Sequence, residues 1–223
     1  MNKLSKRLDR VSSYIKDNSK IIDIGCDHGL LSIYLAKKYD NIKIIASDVN
    51  ENALNNAINN IKKEHLENRI ETRLGSGLDV VNPEEIDTIV ISGMGANTIV
   101  GILKYSTDKL INVDNIIIQS NTDLYYLRKN VTRLGYYIED ESLVEDSNII
   151  YTVILFTKGR KKYNREELYL GPILIKKKDF LFKKKNNKEI KTIEFILSKI
   201  KNGHLLYELK LKRKLKMLKK RSN

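Results

Sequence analysis

Asp23-Ile24-Gly25-Cys26-Asp27-His28-Gly29 gathers two carboxylates, a thiol and an imidazole into seven residues, with glycines where a chain can turn sharply. The apolar run Lys20-Ile21-Ile22 precedes it and the helix-like run Leu30-Leu31-Ser32-Ile33-Tyr34-Leu35-Ala36 follows. Strand, glycine loop and helix in that order are where an α/β sheet takes hold of a cofactor. A pyrophosphate would call for G-x-G-x-x-G, so that backbone N–H groups and a helix N-terminus receive it. Here Asp27 stands between the glycines. A carboxylate repels a phosphate and suits a cationic ligand. S-adenosylmethionine, with a sulfonium, an ammonium and no phosphate, meets that requirement. Ordinary strand-ending glycine turns are the alternative reading of the loop.

Asp48 follows the next apolar run, Lys43-Ile44-Ile45-Ala46-Ser47. An acid about 20 residues after the loop accepts hydrogen bonds from ribose hydroxyls; it could equally cap the helix expected from Glu51 to Lys63. Two more glycine loops follow strand patterns: Gly75-Ser76-Gly77-Leu78 after Ile70-Glu71-Thr72-Arg73, and Ser92-Gly93-Met94-Gly95-Ala96-Asn97 after Asp87-Thr88-Ile89-Val90-Ile91. Three such loops, each past the end of a strand, are hard to explain as turns alone.

The elements that must position these loops alternate. Helix is expected over 2–15, 29–38, 51–63, 97–105 and 123–134. Strand is expected over 20–24, 43–47, 70–73, 86–91 and 115–119. This predicts a doubly wound, Rossmann-like α/β sheet, mainly parallel. The β-rich stretches 136–144 and 149–157 have no helix between them and predict an antiparallel hairpin at the sheet edge. A boundary near Lys158-Gly159-Arg160-Lys161-Lys162 divides the chain into a domain over 1–160 and a helical, coiled-coil-like appendage over 161–223. In the appendage helices are expected over 172–185, 188–201 and 204–220, with a stop at Asn202-Gly203.

Charge divides at the same place. Up to Thr157 there are 18 Lys and Arg against 22 Asp and Glu; from Lys158 there are 23 against 6. So basic an appendage beside a slightly acidic domain points to a nucleic-acid partner. Its aromatics are spread along it and form no single insertion face, which disfavours a membrane. There is no apolar run long enough to span a bilayer and no apolar leader. Cys26, the single cysteine, can form no internal disulfide, which fits a reducing cytoplasm. His28, His65 and His204 are too scattered for a metal site. A monomer is expected.

Taken together, the D-I-G-C-D-H-G loop, Gly75-Ser76-Gly77-Leu78, Ser92-Gly93-Met94-Gly95 and Gln119-Ser120-Asn121 resemble the bacterial tRNA (adenine-22-N1)-methyltransferases, the TrmK family. So do the opening Leu4-Ser5-Lys6-Arg7-Leu8 and Tyr151 on the last strand. Where that family's pattern has a second glycine and a proline, this chain has Ala96 and Ser120. The resemblance implies S-adenosylmethionine as cofactor and methyl transfer to N1 of an adenine in tRNA. Asp23, Gly25, Asp27, His28, Gly29, Asp48, Val49, Ser76, Gly77, Leu78, Gly93, Met94 and Gly95 are the cofactor residues it implies. Arg7, Asn121, Lys176, Lys177, Lys183, Lys184 and Lys185 are those implied for tRNA. Asp27 is the first candidate to stabilise the charged product and His28 to accept a proton, although His28 could as well fix the loop. No Asn/Asp-Pro-Pro-Tyr follows Ile91, which argues against chemistry on the exocyclic amine. A methyltransferase of another RNA, or a non-catalytic RNA-binding protein of the same fold, is the alternative.

Overall fold

A computed structural model describes residues 4–200 and 205–222. The start of the first expected helix, the Asn202-Gly203 stop and His204 lie outside the described residues. Among the described residues seven strands form one sheet in the order β3-β2-β1-β4-β5-β7-β6. They are β1 Lys20–Ile24, β2 Lys43–Asp48, β3 Ile70–Leu74, β4 Thr88–Met94, β5 Asn115–Ser120, β6 Tyr136–Asp146 and β7 Ile149–Lys158. The first five pair in parallel, and β7 enters antiparallel between β5 and β6. Parallel strands must be covered on both faces. Accordingly Ile89, Val90 and Ile91 of β4 are fully buried, each contributing about 1.5–3 kcal/mol by leaving water.

Helices α1 Lys6–Ser12, α2 Leu30–Lys38, α3 Glu51–Lys63, α4 Ala96–Tyr105 and α5 Leu124–Arg133 belong to this sheet. One apolar cluster joins α4 and α5 to it (Ile99, Leu103, Leu127, Val131 against Ile89, Ile116, Phe156). Another joins α1, α2 and α3 (Val11, Leu35, Leu54, Ile61 against Ile21, Ile44, Val90). The break between β1 and β4 in strand order puts their carboxyl ends at a crevice, where such sheets bind ligands.

The expected elements of the sheet domain are present with ends shifted by a few residues, the first helix being the most shortened, from 2–15 to Lys6–Ser12, and three departures are informative. Strand β4 runs on to Met94 because a bulge at Gly93, φ +87°, lets pairing with β5 resume beyond Ser92. The β6–β7 turn is only Ser147-Asn148, both at positive φ, as a two-residue hairpin turn of the primed type requires.

The appendage is organised differently from expectation. It holds α6 Arg165–Leu170, α7 Pro172–Lys177, α8 Phe180–Lys199 and α9 Leu205–Ser222. The expected helix over 172–185 is interrupted at Lys178, which adopts a left-handed conformation. Asp179 then caps α8, its carboxylate accepting from the Phe182 N–H at 2.8 Å. The break expected near Asn186 is absent: that residue is mid-helix and buried. Helix α6 escaped periodicity because it is six residues long, yet Asn164 and Glu167 form a capping box that announces it.

Leu143 of β6 shares an apolar cluster with Leu170, Leu174, Phe182, Ile193, Leu211 and Leu218, so the arm rests on the sheet edge. Beneath it Arg128 of α5 and Glu141 of β6 form a fully buried ion pair at 2.6 Å. Arg128 Nη1 donates to the Leu168 and Tyr169 carbonyls, and Glu141 Oε2 accepts from the Ile173 N–H. One pair thus satisfies the end of α6 and the start of α7. Gly171 lies between them, where an added Cβ would stand 2.6 Å from Glu141 Oε2.

Candidate active site

The β1 loop is shaped by backbone. Gly25 (φ +74°), Asp27 (φ +50°) and Gly29 (φ +68°) all take left-handed conformations. The Gly25 and Cys26 N–H groups donate to the Ser47 carbonyl at 2.8 and 2.9 Å. An added Cβ on Gly25 would sit 2.4 Å from Met94 Cε, so the β1 and β4 loops touch here. The Asp48 carboxylate accepts from the Asp27 N–H at 3.2 Å and the Asn50 N–H at 2.9 Å. The side chain that caps α3 belongs to Asn50, accepting from Asn52 and Ala53. The capping alternative for Asp48 is therefore set aside.

These loops open onto a cavity of about 970 Å³, bordered by Asp23, Gly25, Asp27, His28, Asp48, Gly93 and Met94, and roofed by Ser5, Arg7 and Leu8 of the N-terminal segment. Asp23 is 4 % exposed and accepts from the Ser32 hydroxyl at 2.9 Å. Burial pushes its carboxyl up to about 6; the Ser32 hydrogen bond opposes that rise and neighbouring Asp48 adds to it. Burial also raises the Cys26 thiol, leaving it an inert core group. Asp27 and His28 stand exposed on the rim, 3.7 Å apart. The His28 carbonyl accepts from Asn60 Nδ2 at 3.0 Å, which ties the loop to α3 through backbone and leaves the imidazole out of it.

Opposite the loop, α1 closes the site through Arg7. Its Nη1 donates to Ser92 Oγ at 2.7 Å and Gln119 Oε1 at 2.6 Å. Gln119 Oε1 also accepts from the Gly93 N–H at 3.1 Å, Gln119 Nε2 donates to Asn121 Oδ1, and Asn121 Nδ2 donates to the Gly93 carbonyl at 2.7 Å. The guanidinium lies 5.6 Å from the Tyr151 ring centroid. Both peptide groups flanking Gly93 are thereby held, and the bulge is fixed from the β5 side. Such an arrangement can position a planar polar ligand against a second one held by the acidic loop.

The comparisons with known proteins agree over nearly the whole molecule. Residues 21–221 match the family model TrmK: tRNA (adenine(22)-N(1))-methyltransferase. The chain belongs to this family. A Bacillus subtilis relative, tRNA (adenine(22)-N(1))-methyltransferase, is 31% identical over 204 residues, 89% of this chain and 86% of the relative. A Streptococcus pneumoniae structure solved in complex with S-adenosyl-L-methionine is 29% identical with a TM-score of 0.92, covering 99% of this chain and 100% of that one. M. capricolum TrmK, solved with S-adenosyl-homocysteine, is 29% identical with a TM-score of 0.85 over 98% of this chain and 97% of that one.

Within this TrmK-family fold, the residues expected at the cofactor fall into three groups. Asp23, Gly25, Asp27, His28, Asp48, Gly93 and Met94 border one cavity. Gly29 and Gly95 cap the helices that begin behind it, and Val49 is exposed just past Asp48. The Gly75–Leu78 loop stands apart from that lining: Ser76 is exposed, Gly77 packs against Ile102, and Leu78 is in the apolar core.

The tRNA candidates also divide. Lys176 and Lys183 are exposed. Lys177 pairs with Asp140 at 2.6 Å and Lys184 with Glu145 at 2.6 Å, both acids on β6. Lys185 turns inward and donates to Thr152 Oγ1 at 2.7 Å. Sequence reasoning missed Ser92 and Gln119 as the frame of the site, although both stand in the motifs singled out. It missed Arg128 and Glu141 entirely, since nothing local marks a pair whose members meet across two elements. Among the described residues no group of three or more His, Cys, Asp or Glu could hold a metal ion, and no helix is long and apolar enough to cross a membrane.

Proposed function

We infer that this chain transfers the methyl group of S-adenosylmethionine to N1 of adenine 22 in tRNA, and that it does so in the cytoplasm as a monomer. The observation that carries this reading is the family match, which spans both the sheet and the basic arm. The donor set suits the cofactor: the carboxylates of Asp23, Asp27 and Asp48 border the cavity at the strand ends, while the cations that also line it, Arg7, Lys37 and Lys63, stand on helices. When bound, the cofactor supplies a methyl group already activated by its sulfonium. Asp23 is assigned to the ammonium end and Asp48 to ribose hydroxyls, with Gly25, Gly93 and Met94 allowing close backbone approach.

Adenine N1 carries a free lone pair at neutral pH, so the protein has no strong base to provide before attack. Its task is alignment, which can lower a barrier by up to about 7–11 kcal/mol. The Arg7–Gln119–Asn121 network is assigned to that task, since it fixes the backbone on which the base would lie. Asp27, on the rim, is assigned to stabilise the positive charge that N1-methylation leaves, and His28 beside it to receive the exocyclic amine proton whose loss discharges it.

The arm, residues 161–223, is assigned to the tRNA backbone. Each of its six acids already has a structural partner. Glu166 pairs with Arg221, Glu189 with Lys214, Glu194 with Lys219 and Glu208 with Lys212, while Glu167 and Asp179 cap helices. Lys177 and Lys184 are spent on acids of β6 and Lys185 turns inward, so the remaining exposed lysines, Lys176 and Lys183 among them, are those that can release counterions from RNA. Incubating the chain with total tRNA and labelled cofactor, then analysing nucleosides, tests the reading. Label in 1-methyladenosine at position 22 supports it; label only in 6-methyladenosine overturns it.

A further inference from the structure

A second cleft, about 920 Å³, opens between the β5–α5 loop, the β6–β7 hairpin and the arm. Arg128, Lys185, Arg165 and Lys214 border it, Arg128 being paired with Glu141 beneath the floor. Arg128 is 0 % exposed and Asn186 3 % exposed, and among the described residues Arg128 Nη2 and Asn186 Nδ2 are buried donors with no hydrogen-bond partner. Leaving a buried donor unsatisfied ordinarily costs about 1–3 kcal/mol, so two lining one cleft call for an acceptor. Lys185 borders the same cleft; among the described residues its hydrogen bond is to the neutral Thr152 hydroxyl, and Glu189 and Glu141 act on it through space. The nearby acids are already engaged. Glu141 serves Arg128 Nε and the Ile173 N–H, Glu189 serves the Tyr169 hydroxyl and Lys214, and Asp123 caps α5. Burial lowers Lys185 to about 8, and the approach of an anion would reverse that shift.

We propose that this cleft binds a phosphate group through Lys185 Nζ, Arg128 Nη2 and Asn186 Nδ2. Resting on the tRNA reading above, we assign that group to the RNA backbone beside the target nucleotide. Position supports the assignment. Asn121 and Tyr151 border the cleft on one side, while Asn121 bonds to Gly93 and Tyr151 lies under Arg7 at the donor cavity on the other. A nucleotide whose base enters the donor cavity would trail its phosphate toward this floor. The clamp also grips α5 and α8 together, so binding there would fix the arm against the sheet.

Two variants and one ligand test it on the full chain. Lys185→Gln removes the charge and keeps a donor for Thr152; Asn186→Asp is isosteric and places a carboxylate against the anion. In both, tRNA affinity should fall about tenfold, as for a lost charged hydrogen bond. With Lys185→Gln the salt dependence of tRNA binding should also become shallower by about one contact. S-adenosylmethionine affinity should hold in both, and the melting temperature without phosphate should hold in Lys185→Gln. In parallel, inorganic phosphate at constant ionic strength should raise the wild-type melting temperature and leave that of the variants unmoved. Phosphate stabilisation with unchanged tRNA affinity would keep the site and make its occupant a free phosphate. Wild-type chain unmoved by phosphate, with variants binding tRNA as wild type does, would overturn the proposal, and the first criterion stands even if a variant fails to fold. Loss of tRNA methylation by the wild type, with phosphate stabilisation intact, would sink the functional reading and spare the cleft.

Discussion

The donor loop and the arm are attached to one sheet by different means. At the donor loop, geometry is set by backbone (left-handed glycines, carbonyls and N–H groups within a few residues of the strand ends, and one buried acid), with the Arg7 fork closing the site from α1. At the arm, geometry is set by long side chains that cross between elements distant in sequence. Those crossings are themselves unequal. The Arg128–Glu141 pair is dry and anchors two helix ends, whereas Lys177–Asp140 and Lys184–Glu145 lie at the surface. A buried pair is costly to break by halves; an exposed one is worth little because water and salt screen it. Basic charge alone therefore says nothing about which lysine holds the arm and which is left for RNA.

The sharpest way to break this contrast is Arg128→Met, which leaves Glu141 charged and alone in the interior. A loss of about 3–5 kcal/mol in denaturant unfolding is expected, with most of it recovered in the double variant Arg128→Met/Glu141→Leu. A single variant costing under 1 kcal/mol would mean the pair is not an anchor.

The donor end is probed by Asp23→Asn. S-adenosylmethionine affinity should drop by about 1.5–3 kcal/mol in titration calorimetry at pH 7.5. The pH dependence has a definite sign. The folded carboxyl holds its proton up to about 6, above the usual carboxylate value, so below that pH it offers no charge to a cation. Wild-type affinity should rise as pH climbs through 6, and the asparagine variant should be flat there. The same shift makes the unliganded chain lose stability, not gain it, as pH rises from about 4 to 6, because the folded state binds the proton more tightly than the unfolded one.

Arg7→Lys sharpens the role of the roof. A lysine cannot reproduce the fork to Ser92 and Gln119 while stacking near Tyr151. A fall of roughly tenfold in kcat with little change in cofactor affinity is expected from steady-state kinetics, as for one lost charged hydrogen bond. An unchanged kcat would remove the network from alignment. The smallest effect belongs to Lys184→Ala, within about 1 kcal/mol in a thermal melt and smaller still at high salt.

Much of this molecule is written in short stretches of chain. The hydrophobic alternation gave every sheet element to within a few residues, and Asp23 to Gly29 announced a cationic ligand through Asp27 alone. The arm was harder. Asn186-Asn187 has the low helix propensity of a break, yet tertiary burial overrides it; the real break at Lys178 was signalled by Asp179, a capping residue that reads as one more polar group in a lysine-rich run. The Ser76–Leu78 loop has the glycine pattern of a binding loop, with Ser76 exposed and Leu78 packed in the core. Asp48 could be read two ways until Asn50 was seen to hold the cap.

Local order, the acidic loop and the lopsided charge were determined by the sequence itself, because each depends on neighbours a few residues apart. Only the tertiary structure decided that Arg7 reaches Ser92 and Gln119, that Arg128 meets Glu141, and that Lys185 turns inward while Lys176 stays in water. Those outcomes depend on which strand ends lie side by side and which charges lose their solvent, and both are properties of the packed sheet.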